Sequence, residues 1–95
     1  MDNAQIAHQI ELAEFPEGCR VTAFEDPDGQ VFRAEQEEAD PPCGDEVLLT
    51  PEAARMYGEG PAVMAALTQL KHLCTAGLSP KNPNGTYPRT VFLGD

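Results

Sequence analysis

Residues 61–76 constrain the fold most, because they alone combine a helical apolar period with a boundary signal at each end. Val63, Ala66, Leu67, Leu70, Leu73 and Cys74 follow the i, i+3, i+4, i+7 spacing that puts side chains on one stripe of a helix. Thr68, Gln69, Lys71, His72 and Thr75 fall on the other side. Pro61 suits the first helical position, where its missing N–H is no loss, and Gly60 precedes it. Gly77 is placed to end the helix in a left-handed conformation, with Leu78 folding back on Leu73. A shorter helical piece comes before, with Thr50 as cap, Pro51 first and Glu52 at the positive pole of the helix dipole. Gly58-Glu59-Gly60-Pro61 separates the two pieces, so residues 51–76 read as a broken helix.

The 95 residues leave room for one domain with a modest core. Residues 4–14 read as a short helix with Ile6, Ile10 and Ala13 on one face, ended by Pro16-Glu17-Gly18. Residues 19–25 and 30–37 are rich in Val, Phe and Thr, and they flank Asp26-Pro27-Asp28-Gly29. Pro second and Gly fourth suit a tight turn, which predicts a β-hairpin. Two registers are open. One sets Phe24 opposite Phe32; a slip of one residue turns Val21, Ala23, Phe32 and Ala34 inward. Residues 37–46 are acidic and proline-broken, hence a loop, and residues 47–49 a short third strand. Residues 79–88 read as a loop with no core to build, and residues 90–93 as a closing strand at a sheet edge. The order predicts one α+β domain over residues 1–95. An N-terminal helix and a small antiparallel sheet (hairpin, third strand and closing C-terminal strand) pack on the broken helix.

Several chemistries are excluded on spacing. Asp26-Pro27-Asp28-Gly29 with Glu37 echoes a calcium loop, but the position that must be Gly is Val31. Cys19, Cys43, His72 and Cys74 have no metal-ligand spacing, and His72 and Cys74 do not share a helix face. They read as free thiols and an ordinary histidine, with no metal or cofactor expected. A Cys–His nucleophile pair fails for the same reason, so no catalytic residue is assigned. Gly58-Glu59-Gly60-Pro61 lacks the length and the Lys of a phosphate loop. The start of the chain has no basic segment followed by a long apolar run, so neither secretion nor a membrane span is expected. Three cysteines at unrelated spacings fit a reducing compartment, and a cytoplasmic location is expected.

Charge is the remaining signal. The net charge of −10 comes from 16 acids and 6 bases, very unevenly placed. Residues 1–59 hold every acid but Asp95, with only Arg20, Arg33 and Arg55 against them. Residues 60–95 set Lys71, Lys81 and Arg89 against Asp95. Such a surface repels nucleic acid and anionic lipid and attracts basic protein surfaces. The hairpin turn brings the start of its first strand and the end of its second together. Glu14, Glu17, Glu37, Glu38, Asp40, Asp45 and Glu46 are therefore expected to cluster at that end, and Glu25, Asp26 and Asp28 at the tip.

The helix–three strands–helix order resembles double-stranded RNA-binding domains, but their last helix needs bases where this one has only Lys71 beside His72. In size, acidity and simple α+β make-up the chain resembles the small phage-encoded inhibitors of bacterial defence, anti-CRISPR proteins and DNA mimics among them. The resemblance implies a non-enzymatic protein that binds a basic surface on a CRISPR effector complex or similar nuclease, with no direct nucleic-acid contact. It implies action in the bacterial host cytoplasm. The alternative is a host-encoded acidic binding module or antitoxin-like partner that neutralises a basic protein.

Overall fold

The computed structural model describes residues 2–36, 38–39 and 41–92. Helix α1 runs Asn3–Ala13, and Asp2 caps it. The Asp2 carboxylate accepts the Gln5 N–H at 2.8 Å, and Gln5 Oε1 accepts the Asp2 N–H at 3.0 Å. This reciprocal pair satisfies two helix-end donors. Glu14, at φ 53°, turns the chain out of the helix.

Strands β1 (Arg20–Asp26) and β2 (Gly29–Gln36) form the expected hairpin around Pro27-Asp28. The Asp28 N–H donates to Asp26 Oδ1 at 2.7 Å and fixes the turn. Ala23 pairs with Phe32 and Phe24 with Val31, so the slipped register is the one formed. Val21, Ala23, Phe32 and Ala34 face the core. Gly29 sits at φ +147°, and a Cβ there would strike the Leu49 carbonyl of the next strand, so the residue closing the turn must be glycine.

Strand β3 (Cys43–Leu49) starts four residues before the predicted third strand. The pieces of the broken helix are α2 (Pro51–Tyr57) and α3 (Glu59–Ala76). Thr50 caps α2 by accepting the Ala53 N–H at 3.2 Å. The break is narrower than the sequence implies: Gly58 alone ends α2 and begins α3. Pro61 then lies in the first turn of α3, where an N–H has no helical partner. At the other end the Gly77 N–H donates to Leu73 O at 3.0 Å.

Strand β4 (Arg89–Phe92) completes a sheet of order β1-β2-β3-β4, and Leu93 of the expected strand lies outside the described residues. Three strands are antiparallel as expected, but β4 runs parallel to β3, pairing Glu46 with Arg89 through Leu49 with Phe92. The sheet is therefore mixed. The cause is the length of α3, which carries the chain back to where β3 begins. There the Gly44 N–H donates to Ser79 O at 2.9 Å and Pro80 bridges to Cys43. A strand launched from that end beside β3 must run the same way.

Phe32, Ala34, Val47 and Leu49 meet Ala62, Val63, Ala66, Leu67 and Leu70 of α3, with Ile6 of α1 joining the cluster. The opposite sheet face is covered only in part: Val31 and Leu48 point there and are buried, whereas Val91, paired with Leu48 on β4, is 46% exposed. Part of its cover is Tyr87, from the loop expected to build no core. Its ring lies where a Gly44 Cβ would be, and the residue is buried.

Candidate functional site

The structure divides the acidic residues into two populations. Adjacent residues on a strand point to opposite faces, so Asp45 and Glu46 cannot share one surface. Both are buried, correcting the expectation that they belong to an exposed cluster. Asp45 faces the helices, and its Oδ2 accepts the Ser79 N–H at 3.0 Å, anchoring the chain as it leaves α3.

Glu46 faces the other way and holds two arginines. Arg33, directly across on β2, approaches Glu46 Oε2 with Nε at 2.6 Å and Nη2 at 2.5 Å. Arg89, its partner on β4, places Nε 3.0 Å from Oε1. The other end of Arg89 reaches Asp26, with Nη1 2.6 Å from Oδ2. The Arg33 guanidinium lies 4.8 Å from the Phe24 ring centre and 5.7 Å from that of Tyr87. The Tyr87 hydroxyl donates to Glu35 Oε2 at 3.2 Å, and Lys81 Nζ lies 5.3 Å from the same ring. Sequence reasoning missed this clasp. A signal was present in the alternation of strand residues, which sets Arg33 against Glu46 once the register is known.

Asp26 is thus an ion-pair partner rather than a free carboxylate at the hairpin tip. The Asp28 N–H first, and Arg89 second, hold its pKa below the ordinary value of 3.8. A depressed carboxylate pKa adds stability that is present above the unfolded value and lost as the pH falls through the folded one. Asp26→Asn should therefore flatten the loss of stability below about pH 4 and leave the pH dependence unchanged above about pH 5. Urea midpoints of both proteins across that range check it; identical acid slopes would refute the assignment.

The second population is exposed. Glu14, Glu17 and Glu38 flank the end of the hairpin away from its turn, and Glu25 and Asp28 flank the turn itself. Glu37 and Asp40 lie outside the described residues. Behind the tip is a cavity of about 340 Å³ that Ile6, Leu49, Ala54 and Val63 line together with Glu25, Asp26 and Glu59. Among the described residues no group of three His, Cys, Asp or Glu side chains could hold a metal ion. No helix among them is long and apolar enough to cross a membrane. Comparison with protein-family models, curated proteins and solved structures gives no match.

Proposed function

We propose that this protein is a non-enzymatic inhibitor that binds the basic surface of a nucleic-acid-binding protein, and specifically an anti-CRISPR protein that blocks DNA or RNA access to a CRISPR effector. One observation carries the reading: five acids stand exposed at the two ends of the hairpin, while Arg33 and Arg89, each about one third exposed, are already engaged by carboxylates of the fold. Arg33 and Arg89 are turned onto Glu46 and Asp26, so two of the six bases are committed within the fold. Glu14, Glu17, Glu25, Asp28 and Glu38 remain exposed. Like charges held on a small body repel, and a cationic partner relieves that repulsion. Long-range attraction steers the protein to a Lys/Arg-lined channel, where the hairpin tip and the Glu14–Glu17–Glu38 end make the contact. Such an inhibitor acts in the cytoplasm of the bacterial host.

The test uses purified CRISPR effector complexes and measures affinity for the protein and for target DNA in its presence. The wild type should bind and displace DNA, with an association rate that falls as salt rises. Reversing Glu14, Glu17, Glu25, Asp28 and Glu38 together to Lys should weaken binding at least about a hundredfold, on the scale of charge pairs across interfaces. The far-ultraviolet circular dichroism should stay unchanged. Unaltered affinity in a folded variant would defeat the proposal. Binding to a basic protein other than a CRISPR effector would favour the host-encoded acidic module instead.

A further inference from the structure

Hydrogen bonds at one side of the sheet determine which backbone groups are left over at the other. The Gly44 and Glu46 N–H groups of β3 point away from β2, to Ser79 O and Pro88 O, each at 2.9 Å. Bonding direction alternates along a strand, so Cys43, Asp45, Val47 and Leu49 are the residues bonded to β2. Their partners there are Gln36, Ala34, Phe32 and Gln30. Gly29, Val31, Arg33 and Glu35 are left to face β1, where they pair with Asp26, Phe24, Thr22 and Arg20. The backbone N–H and C=O groups of Val21, Ala23 and Glu25 therefore point outward. They lie at the sheet edge, since β2 is the one strand neighbour of β1 among the described residues. Edge strands are ordinarily protected by a proline, a bulge, a central charge or brevity. β1 has seven residues, no proline and an unbroken register, and its charges, Arg20, Glu25 and Asp26, lie at its ends.

We propose that two copies of this protein pair β1 with β1, antiparallel about a two-fold axis at Ala23, joining two four-stranded sheets into one. This register keeps every residue on its own face of the sheet. It sets Ala23 opposite Ala23, Val21 opposite Glu25, Thr22 opposite Phe24 and Arg20 opposite Asp26. The outward groups of the two strands then exchange about six hydrogen bonds. No like charges lie directly opposite, and an arginine meets an aspartate at each end of the pair. A parallel pairing would instead set Arg20 beside Arg20 and Glu25 beside Glu25. The two-fold axis also closes the assembly, because each copy uses the same edge. Repulsion sets the conditions under which the dimer forms. Each copy carries −10, and the register carries the Asp28 turn of one toward Glu17 of the other. Salt screens exposed charges, so it strengthens this dimer. Binding to a cationic surface weakens with salt, so the two interactions differ in sign and neither depends on the other.

The experiment is sedimentation velocity on the full chain with dithiothreitol present, up to roughly 1 mM protein, in about 0.15 M and about 1 M sodium chloride. The expected result is a monomer–dimer equilibrium whose dissociation constant is at least about tenfold lower in the higher salt. Amide hydrogen exchange by NMR then locates the interface. The Val21, Ala23 and Glu25 amides should slow as the dimer forms, whereas those of Thr22 and Phe24, already bonded to β2, should not change. A sample mixing labelled and unlabelled protein should show the Thr22 Hα close to the Phe24 Hα of the other copy. Ala23→Pro removes the outward N–H at the axis and no bond to β2, so it should be monomeric in both salts. Should that variant fail to fold, Thr22→Asp serves instead, placing a carboxylate on each side of the axis, and should also be monomeric. Three results overturn the proposal: a wild type still monomeric at the highest concentration and salt, a dimer whose Val21, Ala23 and Glu25 amides exchange as in the monomer, or protection of those amides only when a different protein binds.

Discussion

Glu46→Ala should destabilise the protein by about 3 kcal/mol, measured as a fall in the urea midpoint with an unchanged slope. The variant leaves Arg33 and Arg89 facing each other across the space the carboxylate filled. Removing one member of a buried ion pair costs about 3–5 kcal/mol, mostly because the charge left behind has lost its counter-charge. The lower end applies here, since the Arg33 and Arg89 side chains keep 33% and 32% of their surface exposed and can turn toward water. Glu46→Gln keeps the shape and loses the charge, so it should fall between the wild type and alanine. A double-mutant cycle with Arg89→Ala isolates one arm of the clasp. A change below about 0.5 kcal/mol in Glu46→Ala, the range of ordinary surface substitutions, would show that Glu46 is not the buried hub described. Glu46 must also be left alone in any charge-reversal experiment, because a lysine there would unfold the protein rather than test a surface.

Phe32→Ala should cost about 4 kcal/mol, and Phe24→Ala about 1 kcal/mol. Phe32 is fully buried beneath α3, so truncation leaves a cavity in the centre of the core. Phe24 is on the other face, half-buried under the Arg33 guanidinium, and loses mainly that contact. At about 4–8 °C per kcal/mol for a chain of this size, the Phe32 variant should melt on the order of 20 °C lower. Thermal unfolding of the two variants side by side therefore reads the hairpin register. Equal losses, or a larger loss for Phe24, would mean the strands pair differently.

The register also marks how far the sequence could be read. Alternation in residues 19–37 announces two strands, but β2 carries buried apolar residues on both faces, Phe32 and Ala34 on one and Val31 on the other, so two registers one residue apart look equally good. Only the seating of Phe32 in the core cluster built on α3 chooses between them. The α3 stripe was legible because a helix with one polar side leaves little choice, and Pro61 in its first turn and Gly77 at its end mark its limits. The direction of β4 was not legible, because it follows from where α3 delivers the chain. The exposure of the acidic residues was legible only in part. Glu14, Glu17, Glu25, Asp28 and Glu38 stand exposed, whereas Asp45 and Glu46 were read as loop because acidic residues in Cys43-Gly44-Asp45-Glu46 mask a strand. Their partners, Ser79, Arg33 and Arg89, come from elsewhere in the chain.

That clasp has a consequence for the order of assembly. Arg89 and Glu46 are 43 residues apart, and Arg89 and Asp26 are 63 apart. The hairpin and the α2–α3 pair close short loops and can form early; the final strand must wait for a distant segment to come home. Until it does, Glu46 has Arg33 alone, and one of its oxygens must be satisfied by water. Detachment of the last strand is thus the natural first event of unfolding, and it hydrates the sheet at its charged centre.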